Sequence, residues 1–377
     1  MRIIHTSDWH LGKTLCGQSL IDDQAYFINE FFLPLVQEQT PDIVIISGDI
    51  FDKNIAPVDT IRLFDSFIGK MSKLKIPLAV ITGNHDSRER IAIGTELLKN
   101  SGIYIAADTG AFNSPVELCE NGIKYKIYLL PYFSKQQANE YLGEDCDGYA
   151  DAFGKIISKI EQTMSTDDVN ILAAHCFVSG SSLSESENPI YVGNSSQVSA
   201  GLFKSFDYTA LGHLHSPQYA GNNIRYSGSP LKYSFDEERQ KKSVTLLELN
   251  GKNIDVKEIC VPAIHDVKTL TGSFDELMVS GEKNPSEDYI HIHLTDDFPI
   301  FMPVDRLRAF YPNILSLSCD YIDLKNEITE YTAEKQSSDE EMFRQFMLQI
   351  NGSEPTEAEL ELFMSYLGQA DAEVKIP

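Results

Sequence analysis

Apolar and polar positions alternate along the first half of the chain in a way that predicts strands and helices in turn. Four short apolar runs are typical of buried strands, and they lie at 2–6, 42–47, 78–82 and 170–174. Apolar residues at helical spacing predict amphipathic helices over 22–37 and 57–73. This alternation of strand and helix is typical of a layered α/β fold.

Two Asn-Gly pairs mark hairpin turns, because both residue types tolerate the positive φ of a two-residue turn. They are Asn121-Gly122 and Asn250-Gly251, each between alternating apolar runs. After Pro262 the pattern changes to a short mixed segment that contains a predicted strand at 289–294. We therefore expect three parts, a main domain over 1–262, a small α+β capping domain over 263–328 and a helical segment over 329–377.

The last segment contains two predicted helices, and each opens with a capping box, Ser338 with Glu341 and Thr356 with Glu359. Each helix repeats apolar residues along one face, at Phe343, Phe346, Met347 and Ile350 in the first and at Leu360, Phe363, Met364 and Leu367 in the second. Helices this short are marginal in isolation, so the pair must dock on the body of the chain or on a partner.

Charge argues against nucleic-acid binding by bulk electrostatics. The formal net charge of the 377 residues is −25, whereas phosphate contacts need lysine and arginine. Residues 327–377 hold 12 Asp plus Glu against 3 Lys plus Arg, a net charge of −9. This tail is a poor DNA surface and a better surface for a protein partner, although basic patches elsewhere can coexist with an acidic total.

Cysteine usage and hydropathy indicate a cytoplasmic protein without membrane association. The six cysteines are scattered without a C-x-x-C pair, as expected for free thiols in a reducing compartment. No apolar run approaches the length of about 18 residues that a membrane span needs. The opening residues 1–10 also lack the basic and apolar segments of a signal peptide.

Polar side chains of metal-binding types follow the four strands predicted above and a fifth predicted strand that ends at Leu211. Such strand ends are where α/β folds gather their sites. Each motif alone has a plainer interpretation as a turn, a packed histidine or a helix cap. The pair His213 and His215 is the most specific, because two imidazoles two residues apart suggest chelation. Together the motifs predict a metal site with the ligands Asp8, His10, Asp49, Asn84, His175, His213 and His215.

The types of ligand also indicate the metal. Asp, Asn and His without thiolate favour octahedral Mn²⁺, Fe²⁺ or Mg²⁺ over a tetrahedral structural zinc. Seven ligands exceed the needs of one ion, so we expect two divalent ions that share one carboxylate. A water molecule between two such ions becomes a hydroxide near neutral pH, which is a nucleophile for phosphorus.

The order D-x-H, G-D-x-x-D, G-N-H-D, a lone His and G-H-x-H resembles the motif series of the calcineurin-like metallophosphoesterase superfamily. The chain is similar over nearly its whole length to the nuclease subunits of bacterial SbcCD-type complexes, above all at 6–12, 210–215 and 226–230. This resemblance implies a layered α/β fold, a β-sandwich flanked by helices, with a small α+β capping domain and a C-terminal helix pair.

The same resemblance implies roles for individual residues. Asp8, His10, Asp49 and His215 would hold one ion, and Asp49, Asn84, His175 and His213 the other, which makes Asp49 the bridge. His85 would be the catalytic histidine that contacts the phosphate and protonates the leaving oxygen. Asp86 would orient His85, and Asp52 would support a ligand from behind or cap the next helix.

The implied substrate is DNA. The resemblance implies exonuclease action on duplex ends, in the 3′ to 5′ direction, and endonuclease action on single strands and hairpins, in DNA repair, recombination and replication. It also implies an SbcC-type ABC ATPase whose coiled coil receives the C-terminal helices, and a homodimer within a heterotetramer, with Mn²⁺ as the metal.

Two other interpretations compete with the nuclease. A small-molecule phosphatase or cyclic-nucleotide phosphodiesterase would use the same metal core, because the core motifs specify phosphoester attack and leave the substrate open. A scaffold without metal would be free to lose several of the seven ligands. The residues appended after the main domain favour the nuclease, since a small-molecule hydrolase has little use for them. The helix pair could also simply cover the chain's own core.

Overall fold

The computed structural model describes residues 1–187, 197–320, 340, 343–344, 347–348 and 353–373, the last of these without side chains at 365 and 367–373. The strands are β1 Arg2–Thr6, β2 Thr14–Leu15, β3 Gln18–Ser19, β4 Ile43–Ser47, β5 Leu78–Ile81, β6 Ile103–Ala106, β7 Val116–Glu120, β8 Ile123–Leu130, β9 Val169–His175, β10 Phe177–Val178, β11 Gln197–Val198, β12 Tyr208–Gly212, β13 Gln218–Gly221, β14 Ile224–Tyr226, β15 Ser243–Asn250, β16 Asn253–Cys260, β17 Val267–Gly272, β18 Tyr289–Leu294 and β19 Ile314–Cys319. The helices are α1 Ile21–Tyr26, α2 Leu33–Gln39, α3 Val58–Leu74, α4 Arg88–Ile91, α5 Thr95–Lys99, α6 Lys135–Leu142, α7 Gly148–Glu161, α8 Phe274–Lys283, α9 Pro303–Leu307 and α10 Glu357–Glu373.

Two six-stranded sheets form the centre of the molecule, in the orders β16-β15-β1-β4-β5-β6 and β13-β14-β12-β9-β8-β7. In the first, β1, β4, β5 and β6 run parallel, and in the second β14, β12, β9 and β8 do so. Parallel neighbours bring their carboxyl ends to the same edge of a sheet, so the loops that follow them meet there.

The sheets pack face to face through apolar residues such as Ile45 and Ala79 of the first and Ile171 and Ala210 of the second. The outer face of the first sheet is covered by the helices of 21–39 and 58–74, and that of the second by α6 and α7. This layering of helices, two sheets and helices confirms the predicted fold class.

The predicted elements lie close to the observed ones. The strand predicted at 2–6 is β1 as it stands, whereas the helix predicted over 22–37 is divided by a π-helical turn at Phe27–Phe32 between α1 and α2. In that turn Leu33 N–H bonds the carbonyl of Ile28, and the next residue is Pro34, which has no N–H to continue α-helical pairing.

Both predicted hairpins are present. Asn121 and Gly122 join β7 to β8 with φ of 51° and 80°, as a type I′ turn requires. In the second hairpin Asn250 still pairs with Asn253. The turn residues are therefore Gly251 and Lys252, one position later than expected.

A third, smaller sheet follows the main body, with three parallel strands in the order β17-β18-β19. One of its faces buries Ile290 and Ile292 against Phe274 and Leu277 of α8. The other contacts the main body, where Tyr289 Oη donates to the buried carboxylate of Asp23 at 2.8 Å.

The predicted capping box at Thr356 is present, since Thr356 N–H donates to Glu359 Oε2 at 2.8 Å and Glu359 N–H to Thr356 Oγ1 at 3.4 Å. Phe343 stacks on Phe363 with ring centroids 4.0 Å apart. The box at Ser338, Phe346 and Ile350, and the side chain of Leu367, lie outside the described residues.

All six cysteines are free thiols, as expected. Among the described helices, none combines the length and the apolar character of a membrane span.

Phe67→Ala is expected to lower the free energy of unfolding by about 3–5 kcal/mol, because the ring is 1% exposed and packs on Trp9 with centroids 4.9 Å apart. Urea denaturation followed by the fluorescence of Trp9, the single tryptophan, measures the loss. Phe301→Ala is the matched control, since Phe301 is 80% exposed and should change stability by under about 0.5 kcal/mol. Equal losses in the two variants would contradict this account of the core.

Candidate metal centre

The structure gathers every predicted ligand at one edge of the sandwich, where loops follow adjacent strands of both sheets. Asp8 and His10 follow β1, Asp49 and Asp52 follow β4, Asn84, His85 and Asp86 follow β5, His175 ends β9, and His213 and His215 follow β12. The first sheet supplies the carboxylates and Asn84, and the second supplies three of the imidazoles. The site therefore exists only where the two sheets meet.

Four of these residues have a backbone conformation that is rare outside glycine. Asp8, His10, Asp49 and His213 have φ of 54°, 42°, 50° and 105°. Such positive φ values cost free energy and cluster at functional sites, where the surrounding structure enforces them.

Glycines allow the loops to approach one another. A Cβ on Gly212 would lie 1.9 Å from the carbonyl oxygen of Ser47, and one on Gly83 would lie 2.2 Å from Asp49 Oδ1. Any other residue would push the two sheets, or the two first-sheet loops, apart.

One group of potential ligand atoms comprises Asp8, His10 and His215, all buried and within 4.8 Å of one another. His10 Nε2 lies 3.1 Å from His215 Nε2 and 3.5 Å from Asp49 Oδ2. Ser7 Oγ donates to Asp8 Oδ2 at 2.6 Å and so fixes that carboxylate.

A second group surrounds Asn84. Its Oδ1 lies 3.0 Å from both His175 Nε2 and His213 Nδ1, and those two nitrogens are 3.3 Å apart. Asp49 Oδ2 lies 3.3 Å from His175 Nε2, so the Asp49 carboxylate contacts both groups.

These spacings fit divalent cations. Neighbouring ligands of an octahedral ion with bonds of about 2.1 Å are about 3.0 Å apart. The donors are carboxylate, amide oxygen and imidazole, as divalent ions of this class require. The centre thus fits a metallophosphoesterase that uses divalent metal ions.

The buried imidazoles of the centre differ in charge state. Burial lowers the pKa of His10 and of His213 to about 3, so both are neutral imidazoles with a free lone pair at pH 7. Burial also lowers the pKa of His175, but the Asp49 carboxylate outweighs burial and raises it to about 9. Without metal, His175 is therefore protonated at pH 7.

His85 lies at the side of the centre, half-buried, with its ring 4.8 Å from that of His10. The backbone N–H of His85 donates to Asp49 Oδ1 at 2.9 Å. Its Nδ1 lies 2.8 Å from the carbonyl oxygen of Asp52, which can only accept, so Nδ1 carries the proton of that bond. The Asp52 carbonyl is thus one contact that orients the ring.

The carboxylates of Asp52 and Asp86 support the motif loops in different ways. Asp52 Oδ1 lies 3.5 Å from His10 Nδ1 and 3.0 Å from Lys13 Nζ. Asp86 accepts from the backbone N–H groups of Ile50, Phe51 and Gly83 at 3.1, 2.9 and 2.9 Å. Asp86 therefore ties the loop after β5 to the loop after β4.

Three further residues contact His215 and were not expected from the sequence. Ser186 Oγ lies 2.6 Å from the ring nitrogen Nδ1 of His215, and Glu237 Oε1 lies 3.4 Å from the same nitrogen. Glu187 Oε1 accepts from the backbone N–H of His215 at 2.6 Å. Burial raises the pKa of Glu237, but Lys242 and His215 outweigh it and hold this pKa well below the usual range. Glu237 stands between Asp236 and Glu238, and nothing in a single sequence distinguishes the three.

The chain belongs to the calcineurin-like phosphoesterase family, whose model matches residues 1–217. Residues 264–351 match a second family model, SbcD_C, described as the type 5 capsule protein repressor C-terminal domain. The two matches are consistent with SbcD and confirm the resemblance to SbcCD nuclease subunits.

Two solved structures are similar at low identity. TT1561 of Thermus thermophilus is 14% identical, with 68% of this chain and 98% of that chain covered and a TM-score of 0.40. The NAD nucleotidase NadN of Haemophilus influenzae is 12% identical, with 93% of this chain and 71% of that chain covered and a TM-score of 0.33.

Metal binding at pH 7 is expected to release about one proton from His175, because that imidazole must lose its proton to become a ligand. Since its pKa of about 9 lies above this range, the His175 contribution should stay near one proton between about pH 7 and 8. Burial raises the pKa of Asp8 to about 6, so the release should increase below about pH 7, where Asp8 also gives up a proton. Calorimetric titration with Mn²⁺ in two buffers of different ionisation enthalpy measures it. Equal heats in the two buffers would contradict the protonated His175.

Proposed function

We propose that this chain is the two-metal nuclease subunit of an SbcCD-type complex. It hydrolyses DNA phosphodiester bonds as a 3′ to 5′ double-strand exonuclease and as an endonuclease on single strands and hairpins, in the cytoplasm, during DNA repair, recombination and replication. The observation that carries the proposal is the SbcD_C match at 264–351 on a chain whose first 217 residues are a calcineurin-like phosphoesterase. A small-molecule hydrolase has no need of this second unit.

In the proposed centre, Asp8, His10, Asp49 and His215 hold one divalent ion, and Asp49, Asn84, His175 and His213 hold the other, with Mn²⁺ as the metal. The supporting geometry is the pair of ligand groups that both contact Asp49. When bound, the two ions supply a hydroxide nucleophile and neutralise charge on the scissile phosphate.

His85 is the proposed catalytic residue. Its Nδ1–H is directed to the Asp52 carbonyl, which leaves Nε2 as the atom that exchanges a proton with the substrate. In the imidazolium form, Nε2–H contacts the phosphate and gives its proton to the leaving oxygen as the P–O bond breaks. The ring is then neutral, and solvent returns the proton.

Several basic residues near the motif loops are already paired with carboxylates, so they contribute little to binding the DNA backbone. Lys13 pairs with Asp52 at 3.0 Å, Arg88 with Asp108 at 3.3 Å and Lys232 with Asp266 at 2.7 Å. Because these cations are already engaged, we propose that the ATPase partner supplies much of the grip on DNA.

Exposed apolar residues on one side of the main body support a homodimer within a heterotetramer. Ile55, Val58 and Ile61 are 74%, 62% and 47% exposed, and Ile93 and Leu97 are 77% and 76% exposed. Ile61 and Ile93 line one cavity, and exposed apolar residues that lie together are typical of an interface between chains.

The proposed docking element for the SbcC-type ATPase and its coiled coil is the C-terminal helix pair. The stacked rings of Phe343 and Phe363 hold its two parts together, and Leu362 and Met364 are 59% and 41% exposed. Exposed apolar residues in an acidic segment suit a partner helix better than DNA.

Cleavage of end-labelled linear and hairpin DNA in Mn²⁺ tests the substrate, with bis-p-nitrophenyl phosphate beside it and with the ATPase partner present or absent. We expect DNA cleavage that chelation abolishes, and cleavage by the complex that depends on ATP. Hydrolysis of the small ester alone under every condition would exclude the nuclease and favour a small-molecule phosphodiesterase.

His85→Ala should lower kcat by roughly 10²- to 10⁴-fold and leave two Mn²⁺ ions bound, whereas Asp49→Ala should bind neither ion with native affinity. Calorimetric stoichiometry and turnover on the small ester separate the two effects. His291→Ala is the matched histidine control, because His291 lies on the half-exposed face of β18 and bonds Ser316 at 2.6 Å. If Asp49→Ala binds two Mn²⁺ ions as tightly as the unmodified chain does, Asp49 does not bridge the two ions.

A further inference from the structure

A buried ion pair lies directly behind one of the proposed metal-binding histidines. Glu237 Oε2 and Lys242 Nζ are 2.5 Å apart, and their side chains are 0% and 5% exposed. Removing two charges from water costs several kcal/mol per ion, and apolar residues of the same volume would often stabilise a protein as much. A stability role therefore does not account for this pair.

The neighbour of both charges is His215. Ser186 Oγ donates its single proton to Glu237 Oε1, so it accepts from Nδ1–H of His215, 2.6 Å away. Nδ1 is therefore the protonated nitrogen, and the Nε2 lone pair faces His10 Nε2 at 3.1 Å. The carboxylate of Glu237 thus selects, through Ser186, the tautomer that can bind a metal.

The ammonium group of Lys242 fixes the backbone of the same residue. Its Nζ donates to the carbonyl oxygen of His215 at 2.9 Å and to Ser229 Oγ at 2.9 Å. Ser229 N–H also donates to that carbonyl, at 3.0 Å. The ion pair therefore connects the ring and the main chain of His215 in one network, so that neither can rotate alone.

The other histidines of the centre are held by simpler contacts. His175 Nδ1 faces the carbonyl of Ser47 at 2.9 Å, and His10 Nδ1 lies 3.5 Å from the Asp52 carboxylate. Among the described residues, the buried Nε2 of His213 and the buried Nδ1 of His10 have no hydrogen-bond partner. The Lys13–Asp52 pair beside His10 is only partly buried, with side chains 17% and 11% exposed. Of the described ion pairs between lysine and a carboxylate, the fully buried one lies behind His215 and not behind the other three histidines.

We propose that Glu237 and Lys242 are positioning residues for His215, which set its tautomer and its orientation and so determine the affinity of the ion that His215 binds with Asp8 and His10. A carboxylate behind an imidazole also makes the ring a stronger ligand, and loss of such a partner costs about 10- to 100-fold in metal affinity. The proposal rests on the ligand set proposed above.

Calorimetric titration of the full chain with Mn²⁺ tests the proposal on Glu237→Gln and Lys242→Met. Glu237→Gln keeps the shape of the side chain and removes its charge. We expect one of the two Mn²⁺ binding events to weaken by about 10- to 100-fold while the other stays within about twofold. Lys242→Arg should bind the weakened ion more tightly than Lys242→Met does, because the arginine guanidinium still pairs with the Glu237 carboxylate.

Lys126→Met is the matched control. Lys126 pairs with Asp168 at 3.0 Å, with side chains 17% and 12% exposed, and Asp168 precedes β9 at the strand end opposite the centre. If Lys126→Met binds both ions normally and Glu237→Gln weakens one, the proposal holds. It fails if Glu237→Gln binds both ions as the unmodified chain does, or weakens both equally.

Failure of the metal centre itself would give a different result. The unmodified chain would then not bind two ions at all, and the proposed function would be at fault rather than the role of Glu237. If Lys242→Met does not fold, as circular dichroism of the metal-free protein would show, Glu237→Gln alone decides the question.

Discussion

The constraint on which the site depends is the contact of Asp49 with both groups of proposed ligands. Its carboxylate lies 3.5 Å from His10 and 3.3 Å from His175, two imidazoles that belong to different sheets. For one side chain to reach both, the two sheets must approach closely at this edge. Gly212 permits that approach, because even a Cβ there would overlap the carbonyl of Ser47. The positive φ of Asp49 then turns its side chain into the gap.

The rest of the main body serves to hold this edge rigid. Trp9 lies between the proposed ligands Asp8 and His10 and is fully buried among Phe27, Phe32, Phe64 and Phe67. Because a packed aromatic core allows little movement, the two residues on either side of Trp9 keep their positions. Asp86 adds hydrogen bonds that tie the loop of Asp49 to the loop of Asn84. Preorganisation of this kind limits the cost of bringing like-charged carboxylates together before a metal binds.

The acidity of the chain agrees with the proposed division of labour. A net charge of −25 leaves little long-range attraction for DNA, and several cations near the centre are engaged in ion pairs. The chemistry is concentrated in a small metal centre, while the exposed apolar residues of the helix pair and of the 55–97 region are available for protein partners. Binding of the substrate and cleavage of the substrate are thus assigned to different parts of the proposed complex.

The sequence by itself determined the strands that carry the motif residues, the two hairpins and the set of motif residues, because local periodicity and the chemistry of Asp, Asn and His are written in consecutive residues. It placed Asp8, His10, Asn84 and His213 after strand ends, where the structure has them. Only the tertiary structure decided that Asp86 binds the backbone of Ile50, Phe51 and Gly83, and that Glu237 and Lys242 lie behind His215. Those contacts join residues far apart in the chain, and whether a charge is buried depends on packing that no local pattern records.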